Sequence, residues 1–206
     1  MKIEIPCGQV VLIGDLKVPK SASGLVIFVH GSGSSRYSPR NIFVAERLNE
    51  AGFATLLFDL LTVDEEFERQ KVFDIELLAK RLVEVTKSLI SNPEVGNLPI
   101  GYFGASTGAA AALVAASILG KKISAIVSRG GRVDLAGDYL AKIQPPTLMI
   151  VGEDDYEVLE LNYQAHSHMN CEKQIQVIKG ATHLFEEPGA LEQVANLASA
   201  WFKLYH

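Results

Sequence analysis

The sequence predicts an α/β fold: a mostly parallel, doubly wound sheet with helices on both faces and an antiparallel hairpin at its N-terminal edge. Three observations lead there. Short apolar runs recur along the chain: LVIFVH (25–30), ATLLFDL (54–60), LPIGYFG (98–104), ISAIVS (123–128), PTLMIVG (146–152) and KQIQVIKG (173–180). Several are apolar throughout rather than alternating, which is the pattern of strands covered on both faces. Stretches with helical periodicity fall between them, and that alternation is how a parallel sheet wrapped by helices is written in sequence.

Each element has a local reason. VVLIGDLKVP, with a Gly-Asp inside it, reads as a hairpin or a bent strand pair. Ser38-Pro39 supplies an N-cap and a proline at the first helical position, and Gly52 supplies a stop. Ile75, Leu78, Leu82, Val85 and Leu89 step by three and four, making one apolar stripe. Pro188 opens a last helix that carries Leu191, Val194, Ala198, Trp201 and Tyr205 at the same spacing. No internal repeat or long linker interrupts this order. A chain of 206 residues is enough for one sizeable core, so a single domain over 1–206 is expected.

Composition narrows the function classes. The chain is 48% hydrophobic and 21% charged, with a net charge of −5 and both signs scattered along it. That is unlike the concentrated basic footprint of a nucleic-acid binder. No apolar run reaches membrane-spanning length. The start, MKIEIPCGQ, carries Glu4 early and lacks the apolar stretch of a signal peptide. A cytoplasmic location is therefore expected, with neither nucleic acid nor membrane as partner. Two cysteines, Cys7 and Cys171, make no disulfide framework and are expected to stay reduced.

In open α/β sheets ligands gather at the carboxyl ends of the strands. The apolar runs here end in HGSGSS, FDLLT, GASTG, SRGGR, GEDD and GATH, so the unusual polar residues collect on one edge. GASTG places Ser106 at G-x-S-x-G spacing between a strand and an alanine-rich helix, the context of a nucleophile elbow. A serine hydroxyl needs a base to take its proton. His183, beyond the last strand, is the candidate. An acid between the two would hold the imidazole in the right tautomer, and VGEDD offers Asp154 or Asp155. A tetrahedral intermediate also needs amide donors for its oxyanion. The backbone N–H groups of Ser32, in the glycine-rich loop, and of Thr107, at the helix start, are the candidate pair. His30 is read as shaping that loop. No P-loop pattern is present.

FVHGSGSS, GASTG, VGEDD and GATHLFEEPG, in that order and spacing, resemble the α/β-hydrolase superfamily, and within it the small dienelactone-hydrolase-like proteins. The resemblance runs from about residue 23 to the end of the chain. It implies Ser106 as nucleophile, His183 as base and Asp155 as acid, because Asp155 fits a G-x-x-D pattern counted from Gly152. It also implies Ser32 as an oxyanion donor. Two departures matter. Dienelactone hydrolases proper carry a cysteine nucleophile where this chain has serine. The stretch RGGRVDLAGDYLAKIQPP is too short for a helical cap domain, which implies an open site. The expected activity is hydrolysis of a carboxylic ester, thioester or lactone of a small acyl substrate, without a cofactor. A non-catalytic ligand-binding protein of the same fold and a peptidase are the alternatives.

Four arginines near strand ends complete the reading. Arg36 and Arg129 lie closest and are candidate clamps for a substrate carboxylate. Arg40 and Arg132 are expected instead to pair with the acids of TVDEEFE. In AHSHMNC, His166, His168 and Cys171 read as an exposed helix end rather than a metal site. The sequence does not specify an oligomeric state.

Overall fold

A computed structural model describes all 206 residues. Eight strands form one sheet in the order β1-β2-β4-β3-β5-β6-β7-β8. They are β1 (Lys2–Cys7), β2 (Val10–Lys17), β3 (Leu25–Val29), β4 (Ala54–Phe58), β5 (Ile100–Ala105), β6 (Ile123–Arg129), β7 (Thr147–Gly152) and β8 (Lys173–Ile178). β1 and β2 run antiparallel at one edge and the rest are parallel. The helices are α1 (Pro39–Glu50), α2 (Arg69–Val72), α3 (Ile75–Ile90), α4 (Thr107–Leu119), α5 (Tyr156–His168) and α6 (Ala190–Tyr205). This is the expected α/β-hydrolase architecture. Two short 3₁₀ turns within Val133–Lys142, meeting at a kink at Gly137, stand where a cap domain would be inserted. No helix is long and apolar enough to cross a membrane.

The edge hairpin differs from the sequence expectation. The turn lies at Gly8, with φ +62°, and VVLIGDLK is one continuous strand paired to β1 from Val10 to Asp15. Gly14 is a packing position within that strand. A Cβ there would lie 2.8 Å from the Leu56 side chain and 3.1 Å from Phe58 Cβ. The last helix also starts two residues later than Pro188, after Gly189 in a left-handed conformation.

Strand alternation sorts the central strands onto two faces. Leu25, Ile27 and Val29 of β3 face a core layer under α3 and α4, whereas Val26 and Phe28 face a second layer under α1 and α6. Local sequence sets the helix starts. Ser38 Oγ accepts the Asn41 N–H at 3.4 Å, and Asp74 Oδ1 accepts the Leu77 N–H at 2.9 Å. α4 is buried from Thr107 through Ala116, so it needs no polar face, and its alanines let it lie close to the sheet.

His206 closes the amino end of the sheet. Its ring packs on Phe53 and Phe202 and fills the space left by Gly24 and Gly101, where a Cβ would meet ring nitrogens at 2.0 and 2.8 Å. Both nitrogens are buried without a partner, and burial pushes the ring from its ordinary 6.5 down to about 4. Between those values the unfolded chain binds a proton that the folded chain refuses. This contribution is therefore complete above pH 6.5 and is lost as pH falls toward 4. Thermal unfolding from pH 7.5 to 4.5 should show Tm falling across this window. His206→Phe should flatten the decline, and equal slopes for both proteins would refute the assignment.

Candidate active site

The strand order reverses at β3 between β4 and β5, so the loops leaving β3 and β5 diverge from neighbouring strands at a switch point. The β5–α4 junction is a sharp turn at Ser106, which has φ +49°, a conformation non-glycine residues rarely adopt. Three backbone bonds hold it. Ser106 N–H donates to the Arg129 carbonyl at 3.2 Å, and the Ser106 carbonyl accepts from Ala109 N–H at 3.1 Å and Arg132 N–H at 3.0 Å. The flanking glycines make the turn sterically possible. A Cβ on Gly108 would lie 2.2 Å from the Val29 carbonyl oxygen, and one on Gly104 would lie 2.5 Å from Ala109 Cα.

His183 lies on the loop from β8 to α6, and Asp155 follows β7. His183 Nδ1 is bonded to Asp155 Oδ2 at 2.6 Å. With Nδ1 held there, Nε2 is the ring atom left for a nucleophile. Asp154 is turned elsewhere, its Oδ1 accepting from the Tyr156 hydroxyl at 3.2 Å. Of the two acids left open by the sequence, only Asp155 reaches the histidine. Ser106, His183 and Asp155 line one open cleft of about 270 Å³, with Arg132, Glu157 and Val158 around them.

Beside it, the glycine-rich loop leads into a larger cavity of about 350 Å³ with an apolar wall of Leu60, Leu61, Phe67, Val72 and Leu78 and a polar side made by Glu66 and the loop from His30 to Ser35. Ser32 N–H donates to Thr107 Oγ1 at 2.8 Å, so the two candidate oxyanion residues are joined by the threonine hydroxyl. His30 shapes this loop as expected. Its Nδ1 donates to the Gly31 carbonyl at 3.0 Å, its Nε2 accepts the Leu60 N–H at 3.1 Å, and burial lowers its pKa.

The arginines are placed differently from one another. Arg36 is held by Asp15 and Asp59, with its Nε 3.1 Å from Asp15 Oδ2. Its charge is matched within the fold, which removes the reason to treat it as a substrate clamp. Arg40 pairs with Glu186 and Arg132 with Asp134, rather than with the acids of TVDEEFE. Glu65 from that stretch instead forms a two-pronged bond with Arg81, both contacts at 2.6 Å. Arg129 is buried beside the elbow with no partner for Nε or Nη1. His168 Nδ1 is engaged by the Gln164 carbonyl at 2.8 Å, at the end of α5. The apolar cavity was not legible in sequence, because its wall comes from an irregular stretch between β4 and α3 that carries no motif.

Residues 12–204 match the model of the dienelactone hydrolase family. The chain belongs to this family. A crystal structure of a dienelactone hydrolase from Anabaena variabilis is 52% identical, with a TM-score of 0.96 over 100% of this chain and 97% of that one. Est1E from Butyrivibrio proteoclasticus shares the fold at 19% identity, with a TM-score of 0.84 over 99% of this chain and 98% of its own. Two Mycobacterium tuberculosis proteins, from different strains and named as provisional phosphoribosyl transferases, are 58% identical over 201 residues, 98% of this chain. The chain spans 45% of the length of those curated relatives.

Within this family site, the elbow depends on two backbones passing without side chains between them. Gly108→Ala would force Cβ into the Val29 carbonyl and should destabilise the protein by about 2–3 kcal/mol, the scale of overpacking in a rigid environment. Denaturant titration reads this directly. Stability equal to the wild type would show that the elbow can relax.

Proposed function

We propose that this chain is a serine hydrolase that cleaves a carboxylic ester, thioester or lactone of a small substrate through an acyl-enzyme on Ser106. The observation that carries the reading is the 2.6 Å Asp155–His183 pair in the same cleft as a serine on a strained elbow. Ser106 Oγ attacks the carbonyl carbon as His183 Nε2 takes its proton. Asp155 fixes the ring tautomer and stabilises the imidazolium. The Thr107 N–H holds the oxyanion, and the Ser32 N–H joins it by exchanging Thr107 Oγ1 for the oxyanion as that charge develops. The imidazolium then protonates the leaving group. Water attacks the acyl-enzyme with His183 again as base, which releases the acid and restores the serine. The apolar cavity beside Ser32 suits a short hydrocarbon portion of the substrate.

The transferase name belongs to proteins of which the matched segment is 45%, so more than half of each lies outside the likeness. The chemistry proposed here is that of the matched segment.

Ser106→Ala should abolish both turnover of p-nitrophenyl acetate and labelling by a fluorophosphonate probe. Wild-type protein that neither labels nor exceeds the variant would mean a binding protein with a vestigial site. Asp155→Asn should lower kcat by roughly 10²–10⁴-fold, as in other triads, while Asp154→Asn should change little. The reverse pattern would exchange their roles. Thr107→Val keeps the Thr107 backbone donor but removes the hydroxyl that occupies Ser32 N–H. That bond of about 1 kcal/mol must break before Ser32 N–H can serve the oxyanion, so its loss should raise kcat about fivefold. Thr107→Ser should restore the wild-type rate, and an unchanged Thr107→Val enzyme would remove Ser32 N–H from the oxyanion site.

A further inference from the structure

A substrate at Ser106 has two sides, and the strand order separates them. Ser106 follows β5. His183 and Asp155 follow β8 and β7, on one side of it. The glycine-rich loop and the segment after β4 lie on the other side. The leaving group lies toward His183, which protonates it. The acyl group is left with the cavity on the β3–β4 side. Gly31 joins that cavity to the nucleophile, since a Cβ on it would lie 3.0 Å from Ser106 Cβ.

That cavity carries one charge. No lysine or arginine lines it, and burial keeps His30 neutral. The charge is Glu66, whose side chain is exposed and whose carboxylate acts on the His30 ring. Glu66 has neither an ion pair nor a side-chain hydrogen bond. Its neighbours in the segment are matched, Glu65 by Arg81 at 2.6 Å and Glu68 by Lys71 at 2.9 Å. The next residue, Phe67, lines the same cavity with most of its ring uncovered. An adjoining shelf shares Ser32, Glu66 and Phe67 and adds Arg69 and Phe73. There the Arg69 guanidinium stands over the Phe73 ring, 5.8 Å from its centroid, and does not pair with Glu66.

These groups agree on one kind of ligand. An unpaired carboxylate attracts a cation and repels an anion, and its charge-assisted bonds exceed neutral ones. An aromatic face attracts an ammonium group for a separate reason, the negative charge of the ring face. Leu60, Leu61 and Leu78 suit an uncharged stem between the carbonyl and that cation. We propose that this cavity takes an acyl chain ending in a positively charged ammonium group, and that Glu66 and Phe67 are the residues that select it. The naming of the acyl group rests on the reading of Ser106 as nucleophile; the affinity of the cavity for an ammonium group does not.

Two measurements test it. In the first, p-nitrophenyl 4-(trimethylammonio)butanoate is compared with p-nitrophenyl 5,5-dimethylhexanoate, which has the same shape without the charge. The 6-(trimethylammonio)hexanoate and 7,7-dimethyloctanoate esters form a longer pair of the same kind. At the better-fitting length, wild-type kcat/KM should favour the cation about fivefold. Glu66→Gln should lower that ratio about threefold and Phe67→Leu about twofold. Both side chains are exposed, so both variants should fold. No preference for the cation at either length, or a preference that Glu66→Gln leaves intact, would overturn the site. A ratio that Phe67→Leu leaves intact would overturn the aromatic half. Turnover of none of these esters would count against the Ser106 reading. The second measurement needs no chemistry. Hexyltrimethylammonium chloride should bind the Ser106→Ala protein in ligand-observed NMR, and adding Glu66→Gln should raise its Kd about threefold. Absent binding, or an equal Kd, would overturn the ammonium site.

Discussion

Everything at the carboxyl edge depends on one close backbone approach. α4 begins against the carbonyls of Val29 and His30, with only the hydrogen of Gly108 between them. That contact brings the end of β3 next to the end of β5, and so brings Ser32 to Thr107. It also fixes the Ser106 backbone in a conformation that is costly in isolation and is kept only because its surroundings over-determine it. The bonds from Arg129, Ala109 and Arg132 are those surroundings. The alanines that follow continue the same logic, since a helix this close to the sheet has no room for larger side chains.

Around that contact the polar groups divide into those the fold satisfies and those it leaves open. His30 is satisfied on both ring nitrogens and is kept neutral by burial. Arg36, Arg81 and Arg132 each have a carboxylate. His183 is satisfied at Nδ1 by Asp155. Serine and imidazole face an open cleft, and Arg129 faces no counter-charge. Among these groups Arg129 is the exception, and its carbonyl is the one that holds the Ser106 N–H.

Much of this was legible in the sequence, and the limits have physical causes. The parallel strands were readable because burial on both faces demands unbroken apolar runs. The elbow was readable because a strained turn at close packing demands glycine at fixed spacing. Asp155 was singled out by the G-x-x-D spacing of the family resemblance; the residue types alone left Asp154 open, because they do not encode where each side chain points. The hairpin turn was misplaced because Gly14 and Gly8 look alike in sequence. One opens space for Leu56 and Phe58, and the other supplies a positive φ. The partners of the arginines were equally hidden. Asp15 lies twenty-one residues from Arg36 and meets it only because β2 pairs with β4.

The wall of the apolar cavity has a different kind of dependence. Glu65 fastens the segment after β4 to α3 through Arg81, and Arg81 also donates to the Leu60 carbonyl at 3.0 Å. The Arg81 guanidinium holds the Glu65 carboxyl down at about 2, so this fastening survives mild acid. Phe67, 85% exposed, and Phe73, 50% exposed, hang from that anchor and contribute little to the core. Phe67 can therefore be exchanged without drawing on the stability of the sheet, whereas Leu60, Leu61 and Leu78 line the same cavity and belong to the core. In evolutionary terms, the anchor lets the exposed rim of the cavity drift while the skeleton beneath it is conserved by its packing.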